Sequence, residues 1–125
     1  MLLLKTSFKN LPGVLTHSKH ASDRYPSAGP GDLVLIAITR TTLPKGEKSI
    51  QHVARLGRVR RDTSNESSAI WGGTGWFYII ELDDIRDVDP FNLEEVQESA
   101  KNYGPVVTHV RLLPQDEDAV LRRLP

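Results

Sequence analysis

An apolar run at residues 32–39 is the feature that most constrains how this chain can fold. After Asp32 come six apolar residues in succession: Leu33, Val34, Leu35, Ile36, Ala37 and Ile38. The run has the length of a strand and follows the turn-forming sequence Gly29-Pro30-Gly31. A strand that is apolar on both faces must be covered on both sides, so we expect it in the centre of a sheet.

Further elements are predicted on both sides of this strand. The strand-like segments are residues 2–5, 50–61, 76–82 and 105–113, and the helix-like segments are residues 92–104 and 115–124. Residues 6–31, apart from a helical turn at 11–15, and residues 40–49 and 62–75 are predicted to be irregular. Within these segments, Asn92 and Glu95 have the spacing of a capping box, and Gly57 indicates a bulge. The order predicts an α+β fold with a mostly antiparallel sheet or barrel.

Length and composition limit the class of protein. A chain of 125 residues is expected to form one domain spanning residues 1–125. The absence of cysteine excludes disulfides, thiolate metal sites and a cysteine nucleophile. The apolar residues Leu2, Leu3 and Leu4 are too few for a signal peptide or a membrane span, so a cytoplasmic protein that does not enter membranes is expected.

The formal net charge of zero conceals an uneven distribution. Up to Asp62 the chain has eleven Lys or Arg and four Asp or Glu, whereas the remainder has five and twelve. Such a split is typical of proteins with a surface that faces a polyanion. The alternative is that the two halves attract each other within the fold, and the sequence leaves both open.

Motifs for several common chemistries are missing. The segment 46–49 lacks the glycines of a phosphate-binding loop, and no serine has a nucleophile-elbow sequence. His17 and His20 are three residues apart but have no acidic companions, so neither a metal site nor a cofactor is expected.

Aromatic and basic residues close to one another are the more informative pattern. Trp71 and Trp76 flank a glycine-rich segment, and Tyr78 follows two residues after Trp76. Flat rings that converge suit a planar ligand such as a nucleobase. The preceding basic residues that could hold phosphates are Arg55, Arg58, Arg60 and Arg61. The alternative is that both tryptophans belong to the hydrophobic core.

The order of these pieces resembles a known superfamily. The matching segments are residues 2–5, the loop at 16–20, residues 30–36 with Pro-Gly-Asp before an apolar strand, and residues 52–59, 76–80 and 110–124. Together they resemble the PUA-like superfamily and, within it, the EVE group, which is related to YTH and ASCH domains. This resemblance implies a small distorted β-barrel with flanking helices and a pocket on one side.

The resemblance also implies a function. EVE-type and YTH-type members accommodate a modified base, flipped from DNA or unpaired in RNA, within an aromatic pocket. The implied base pocket is formed by Trp71, Trp76, Tyr78, His17 and Ser18, and the implied phosphate contacts are Lys19, Arg58, Arg60 and Arg61. Such a module reads nucleic acid without catalysis and could give a modification-dependent restriction system its specificity, together with a nuclease or motor subunit.

Two other functions stay open from the sequence. Some ASCH-like proteins are amidohydrolases of acylated nucleosides that use lysine, threonine and glutamate, and Lys19 or Lys5, Thr39 and Glu81 are available here. The acidic second half could instead serve a protein-interaction module.

Overall fold

A computed structural model describes residues 1–73, 76–95 and 109–124. Its strands are β1 (Leu2–Thr6), β2 (Lys19–Ser22), β3 (Leu33–Ile38), β4 (Ile50–Arg61), β5 (Tyr78–Phe91) and β6 (His109–Arg111). Its helices are α1 (Leu11–His17), α2 (Glu66–Trp71) and α3 (Pro114–Leu121), with 3₁₀ turns at Arg40–Thr42 and Leu93–Glu95. The longest described helix has eight residues and is too short to cross a bilayer, which takes about 20.

The strands form one curled, half-barrel sheet in the order β2-β5-β4-β3-β1-β6. The β1–β3 pair is parallel and the other pairs are antiparallel. The curl brings the two edges of the sheet together, because Arg24, just after β2, hydrogen bonds with His109 of β6. The Arg24 Nη2 atom donates to the His109 carbonyl at 2.5 Å, and His109 Nε2 lies 3.0 Å from the Arg24 carbonyl. The predicted α+β fold, a PUA-like distorted barrel with flanking helices, is confirmed.

The central position predicted for β3 is confirmed by its packing on both faces. Val34, Ile36 and Ile38 join a core cluster that α1 covers with Leu11 and Val14. Leu35 and Ala37 point the other way, into a second cluster that includes Phe91 and, from α3, Val120. Each buried aliphatic side chain contributes about 1.5–3 kcal/mol to folding, so a polar residue anywhere in this strand would be costly.

The bulge predicted at Gly57 is confirmed. Leu56 pairs with Leu82 but Val59 pairs with Ile80, so β4 has one more residue than β5 across this step. A Cβ atom on Gly57 would lie 3.0 Å from the Glu81 carbonyl oxygen. This contact is tighter than an ordinary van der Waals contact, so glycine suits the close approach of the two backbones here.

Three boundaries differ from the prediction. Residues 6–31 contain β2 as well as the full helix α1, and the predicted loop 62–75 contains α2. Strand β5 continues to Phe91, where it pairs with Ile50, so residues 89–91, which lead into the predicted helix, are strand instead. Asn92 and Glu95 do interact, since the Asn92 backbone N–H donates to Glu95 Oε2 at 2.6 Å. The rest of the predicted helix, and the strand before residue 109, lie outside the described residues.

Candidate functional site

A cleft lies where β1, β3 and the N-terminal end of α1 meet the start of β2. It encloses about 150 Å³, the size of an engineered cavity that admits benzene. Its lining residues are Lys5, Thr6, Ser7, Asn10, His20, Ala21, Thr39, Trp71 and Trp76. The cleft therefore has room for one flat ring system, surrounded by two indoles and several hydrogen-bonding side chains.

Trp71 forms one wall of the cleft and also belongs to the fold. It is the last residue of α2, and its half-buried ring packs against the core cluster beneath α1. A Cβ atom on Gly13 would lie 2.8 Å from the Trp71 Nε1 atom, so the indole rests directly on the backbone of α1. This buried N–H has no hydrogen-bond partner among the described residues. Trp71 therefore packs against the hydrophobic core and also lines the cleft.

Trp76 forms a second part of the wall. It lies just before β5 and is half-buried, and it belongs to neither core cluster. Its Nε1–H donates to the Gly72 carbonyl at 2.9 Å, which folds the ring back over the end of α2. This hydrogen bond places both tryptophans at the same cleft.

The polar side of the cleft is built by the parallel β1–β3 pair. Parallel strands end at the same edge, and the Thr39 N–H donates to the Thr6 carbonyl at 2.8 Å. The Thr39 hydroxyl lies 2.8 Å from the Thr42 hydroxyl and is held in place by it. Burial lowers the pKa of the Lys5 ammonium, and the carboxylate of Glu94 opposes that shift.

Five charged residues beside the cleft form what we call the ion-pair cluster: Lys19, Arg58, Arg60, Glu66 and Glu81. Arg60 lies between the two carboxylates, 2.8 Å from Glu66 Oε2 and 2.8 Å from Glu81 Oε2. Lys19 binds the other oxygen of Glu66, and Arg58 binds Glu81 at 3.0 Å. Hydrogen bonds from Lys19 and then Arg60 hold the pKa of Glu66 below its usual value. Those from Arg60 and then Arg58 do the same for the pKa of Glu81.

The ion-pair cluster fixes the N-terminal end of α2. Glu66 is the first residue of this helix, and the carboxylate of Asp62 accepts the backbone N–H groups of Glu66 at 2.9 Å and Ser67 at 3.0 Å. Burial alone would raise the pKa of Asp62, but these hydrogen bonds lower it. Since the other end of α2 carries Trp71, the cluster and the Asp62 cap together set the position of one cleft wall.

The structure brings some of the predicted pocket residues together and separates others. Trp71 and Trp76 share the cleft, whereas Tyr78 lies outside its lining and contacts Tyr25 edge-on, with 5.5 Å between ring centroids. His17 is exposed at the end of α1. Ser18 has a left-handed backbone, and its carbonyl accepts the Leu82 N–H. The histidine that lines the cleft is His20.

The predicted phosphate contacts also divide into two groups. Lys19, Arg58 and Arg60 belong to the ion-pair cluster, where carboxylates offset their charge. Arg61, at the end of β4, is exposed, and its guanidinium has no ion pair with any described residue. In the described part of the chain, no three His, Asp or Glu side chains are grouped as metal ligands would be.

Sequence reasoning missed the polar lining of Thr6, Ser7 and Asn10. These residues belong to the cleft because β1 pairs in parallel with β3, 27 residues or more further along the chain, and nothing local in the sequence indicates that pairing. The sequence suggests Thr39 only as a candidate residue of a hydrolase. The useful signal would have been that a strand followed by a helix places its last residues at a sheet edge.

Comparison with known proteins gives matches in structure only. No family model and no curated protein sequence matches the chain. The crystal structure of a mutant ASCH protein from Zymomonas mobilis superposes on this chain with a TM-score of 0.71 and 14% sequence identity. The superposition covers 99% of this chain and 98% of that protein. A hypothetical protein from Leishmania major superposes with a TM-score of 0.66 at 15% identity, covering 97% and 91%.

The chain has the fold of an ASCH domain. A protein from Pseudomonas putida, with a TM-score of 0.62 at 11% identity over 97% of both chains, has the same fold. The resemblance to the PUA-like superfamily is therefore confirmed at the level of the fold, with ASCH proteins as the structural neighbours. At these identities the match establishes the ASCH fold alone, and the chemistry of the cleft has to be argued from its own side chains.

Proposed function

We propose that the chain binds one unpaired or flipped base of a nucleic acid, in modified form, in the cleft between Trp71 and Trp76. One observation carries this assignment: two indoles and a set of hydrogen-bonding side chains line a cleft with room for a single flat ring system. A stacked base gains about 1–3 kcal/mol from each such ring. Hydrogen bonds to the edge of the base supply the selectivity.

The polar lining suits a reader of base edges. Asn10 offers both a donor and an acceptor, Thr39 offers a hydroxyl, and His20 offers ring nitrogens. A group added to the base changes which of these can be satisfied, and a buried polar group left unsatisfied costs about 1–3 kcal/mol. Reading of this kind involves no reaction, so the consequence would come from a partner such as a nuclease or motor subunit.

The test is tryptophan quenching by single-stranded nonamers with one central modified base. Three probes cover different edges: RNA with N4-acetylcytidine, RNA with N6-methyladenosine, and DNA with 5-methylcytosine, each beside its unmodified counterpart. We expect one modified probe to quench more and bind more tightly than its counterpart, with affinity falling as salt is raised. Trp76→Ala should weaken that binding by about 1–3 kcal/mol, whereas Trp76→Phe, which keeps a ring, should weaken it less.

Leu121→Ala is the matched control, because Leu121 is an exposed apolar residue on α3. It should leave quenching and affinity unchanged. Quenching by none of the three modified probes, or equal affinity for modified and unmodified probes in all three pairs, would contradict modified-base reading.

Hydrolysis of an acylated nucleoside is the second candidate, because Lys5 and Thr39 line the same cleft. Burial lowers the pKa of Lys5, as a lysine that acts as a general base requires. Glu81 and Lys19, by contrast, belong to the ion-pair cluster. Water would add to the acyl carbon of N4-acetylcytidine, and the products would be cytidine and acetate.

Chromatography of N4-acetylcytidine incubated with the protein distinguishes the two functions. A hydrolase converts it to equal amounts of cytidine and acetate, and Lys5→Met abolishes the conversion, whereas Lys45→Met, at an exposed lysine outside the cleft lining, serves as the matched lysine control. Full recovery of the nucleoside after prolonged incubation would leave binding as the function.

A further inference from the structure

A second surface adjoins the cleft, and we call its three residues, Tyr25, Tyr78 and Arg61, the aromatic ridge. Tyr78 of β5 pairs with Ser22 of β2 on one side and with Arg61 of β4 on the other. Directly paired residues point to the same face of a sheet, so Arg61 and Tyr78 share a face. Tyr25 contacts Tyr78 edge-on from the chain that follows β2.

The outer ring of the aromatic ridge is largely exposed. Tyr25 is 61% exposed, and its ring is held edge-on against the half-buried ring of Tyr78. A large exposed ring that a second ring holds in place is typical of a binding surface.

The aromatic ridge continues the cleft. Tyr78 follows two residues after Trp76, which lines the cleft, and residues two apart on an extended chain point to the same face. On the neighbouring strand, the cleft residue His20 pairs with Ile80, and two residues further along the same two strands Ser22 pairs with Tyr78. Two strand residues cover roughly 7 Å, which is more than the roughly 3.4 Å rise per stacked nucleotide along one DNA strand. The nucleotide next to the one in the cleft would therefore reach the ridge when the strand is unstacked and extended.

Arg61 gives the aromatic ridge its charge. Arg58 and Arg60 on the same strand are bound to Glu81 and Glu66, whereas Arg61 is exposed and forms no ion pair with a described residue. An arginine of this kind keeps its full charge for a phosphate. Exposed rings beside an uncompensated cation are the combination that binds single-stranded nucleic acid.

We propose that the aromatic ridge binds the nucleotide adjacent to the one in the cleft, with its base stacked on Tyr25 and a phosphate on Arg61. This inference rests on the proposed function and adds to it a footprint of at least two nucleotides. It also specifies single-stranded or locally opened nucleic acid, because the base faces of an intact duplex are already stacked.

The test compares three ligands based on the nonamer probe that quenches tryptophan most. These are the nonamer itself, the same nonamer with abasic sites on both sides of the central base, and the isolated central nucleoside. We expect the abasic flanks to weaken binding by about 5- to 100-fold. Tyr25→Ala should weaken binding of the intact nonamer by a similar factor and leave binding of the isolated nucleoside unaffected. Arg61→Gln should lower the slope of log affinity against log salt by about 0.7–1.

Leu121→Ala and Arg122→Gln are the matched controls, since both residues are exposed on or next to α3. Both should leave all three affinities and the salt slope unchanged. Equal affinity of wild-type protein for the intact and abasic-flanked nonamers would overturn the aromatic ridge while the proposed function stands. Loss of nonamer binding in Tyr25→Ala without any effect of Trp76→Ala would support the ridge and contradict the cleft as the base site. Failure of every probe to bind would overturn both.

Discussion

At the scale of single residues, the two tryptophans of the cleft have different physical roles. Trp71 packs against the core and Trp76 does not. We therefore expect Trp71→Ala to lower the free energy of unfolding by up to about 3–5 kcal/mol and Trp76→Ala to lower it by much less. Urea unfolding of both variants checks this. Equal losses of stability would show that Trp76 is also a core residue and would make it unsuitable for testing the cleft.

Gly13 is a second residue with an outsized role, because it gives Trp71 the space that it occupies. The new methyl group of Gly13→Ala would lie 2.8 Å from Trp71 Nε1 and 3.3 Å from Ile70 Cγ2. Overpacking of this kind costs about 1–3 kcal/mol, and the better helix propensity of alanine returns only about 1 kcal/mol. We expect net destabilisation and a shifted Trp71 emission spectrum. Gly29→Ala is the control, since its Cβ would meet nothing within 4 Å; destabilisation by both to the same extent would contradict the close-contact explanation.

At the scale of elements, α2 is a helix of six residues, too short to be stable alone, so its contacts must hold it in place. Glu66→Gln removes the ion pairs to Lys19 and Arg60, and we expect it to lower the free energy of unfolding by about 1–3 kcal/mol. The pKa of Glu66 is lowered in the fold, so its contribution is present above the usual carboxyl value of 4.5 and is lost as pH falls below it. Wild-type stability should therefore fall steeply below about pH 4.5.

Urea unfolding at several pH values between about 3 and 7 measures this effect. Glu66→Gln should show a shallower acid slope than wild type, whereas Glu47→Gln, a change at an exposed residue, should keep the wild-type slope. An unchanged slope in Glu66→Gln would mean that the ion-pair cluster does not anchor α2.

The elements also show what the sequence reveals and what it hides. Residues 33–38 could be recognised because an apolar run leaves only a central strand as a solution, and Gly57 could be recognised because a lone glycine in a strand indicates a bulge. Helix α2 was hidden because its cap, Asp62, is four residues before Glu66 and its other anchors are Lys19 and Arg60. Trp71 and Trp76 could be recognised because they flank a glycine-rich segment. The polar residues that line the cleft with them depend on the parallel β1–β3 pair, which is a long-range contact.

At the scale of the whole molecule, ion pairs between the basic first half and the acidic second half account for much of the charge split. Lys19, Arg58 and Arg60 bind carboxylates of the second half. Arg40 likewise contacts Glu94, and His52 contacts Asp87. Three of these pairs, Arg58–Glu81, Arg60–Glu81 and His52–Asp87, join β4 to β5, whose antiparallel pairing places the two halves side by side. Mutual attraction of the halves is thus realised in the fold, whereas Arg61, on the same strand as Arg58 and Arg60, forms no ion pair with a described residue.

The half-barrel is closed by a contact between its two edges. His109 is buried between the sheet edges and contacts Arg24. Burial is the main cause that lowers the pKa of His109, and the positive charge of Arg24 lowers it further. The hydrogen bond to the Arg24 carbonyl and the negative charge of Asp23 act in the opposite direction. Because the unfolded chain takes up a proton near the usual histidine value of 6.5 and the folded chain resists it, closure is most stable above that value. As the pH is lowered from that value, the free energy of unfolding should fall by up to about 1.4 kcal/mol per pH unit until the lowered pKa is reached.

Urea unfolding between about pH 7.5 and 5 should show this loss in wild-type protein and in His17→Gln, an exposed-histidine control, but not in His109→Gln. A wild-type stability that stays constant over this range would mean that His109 does not control the closure of the sheet.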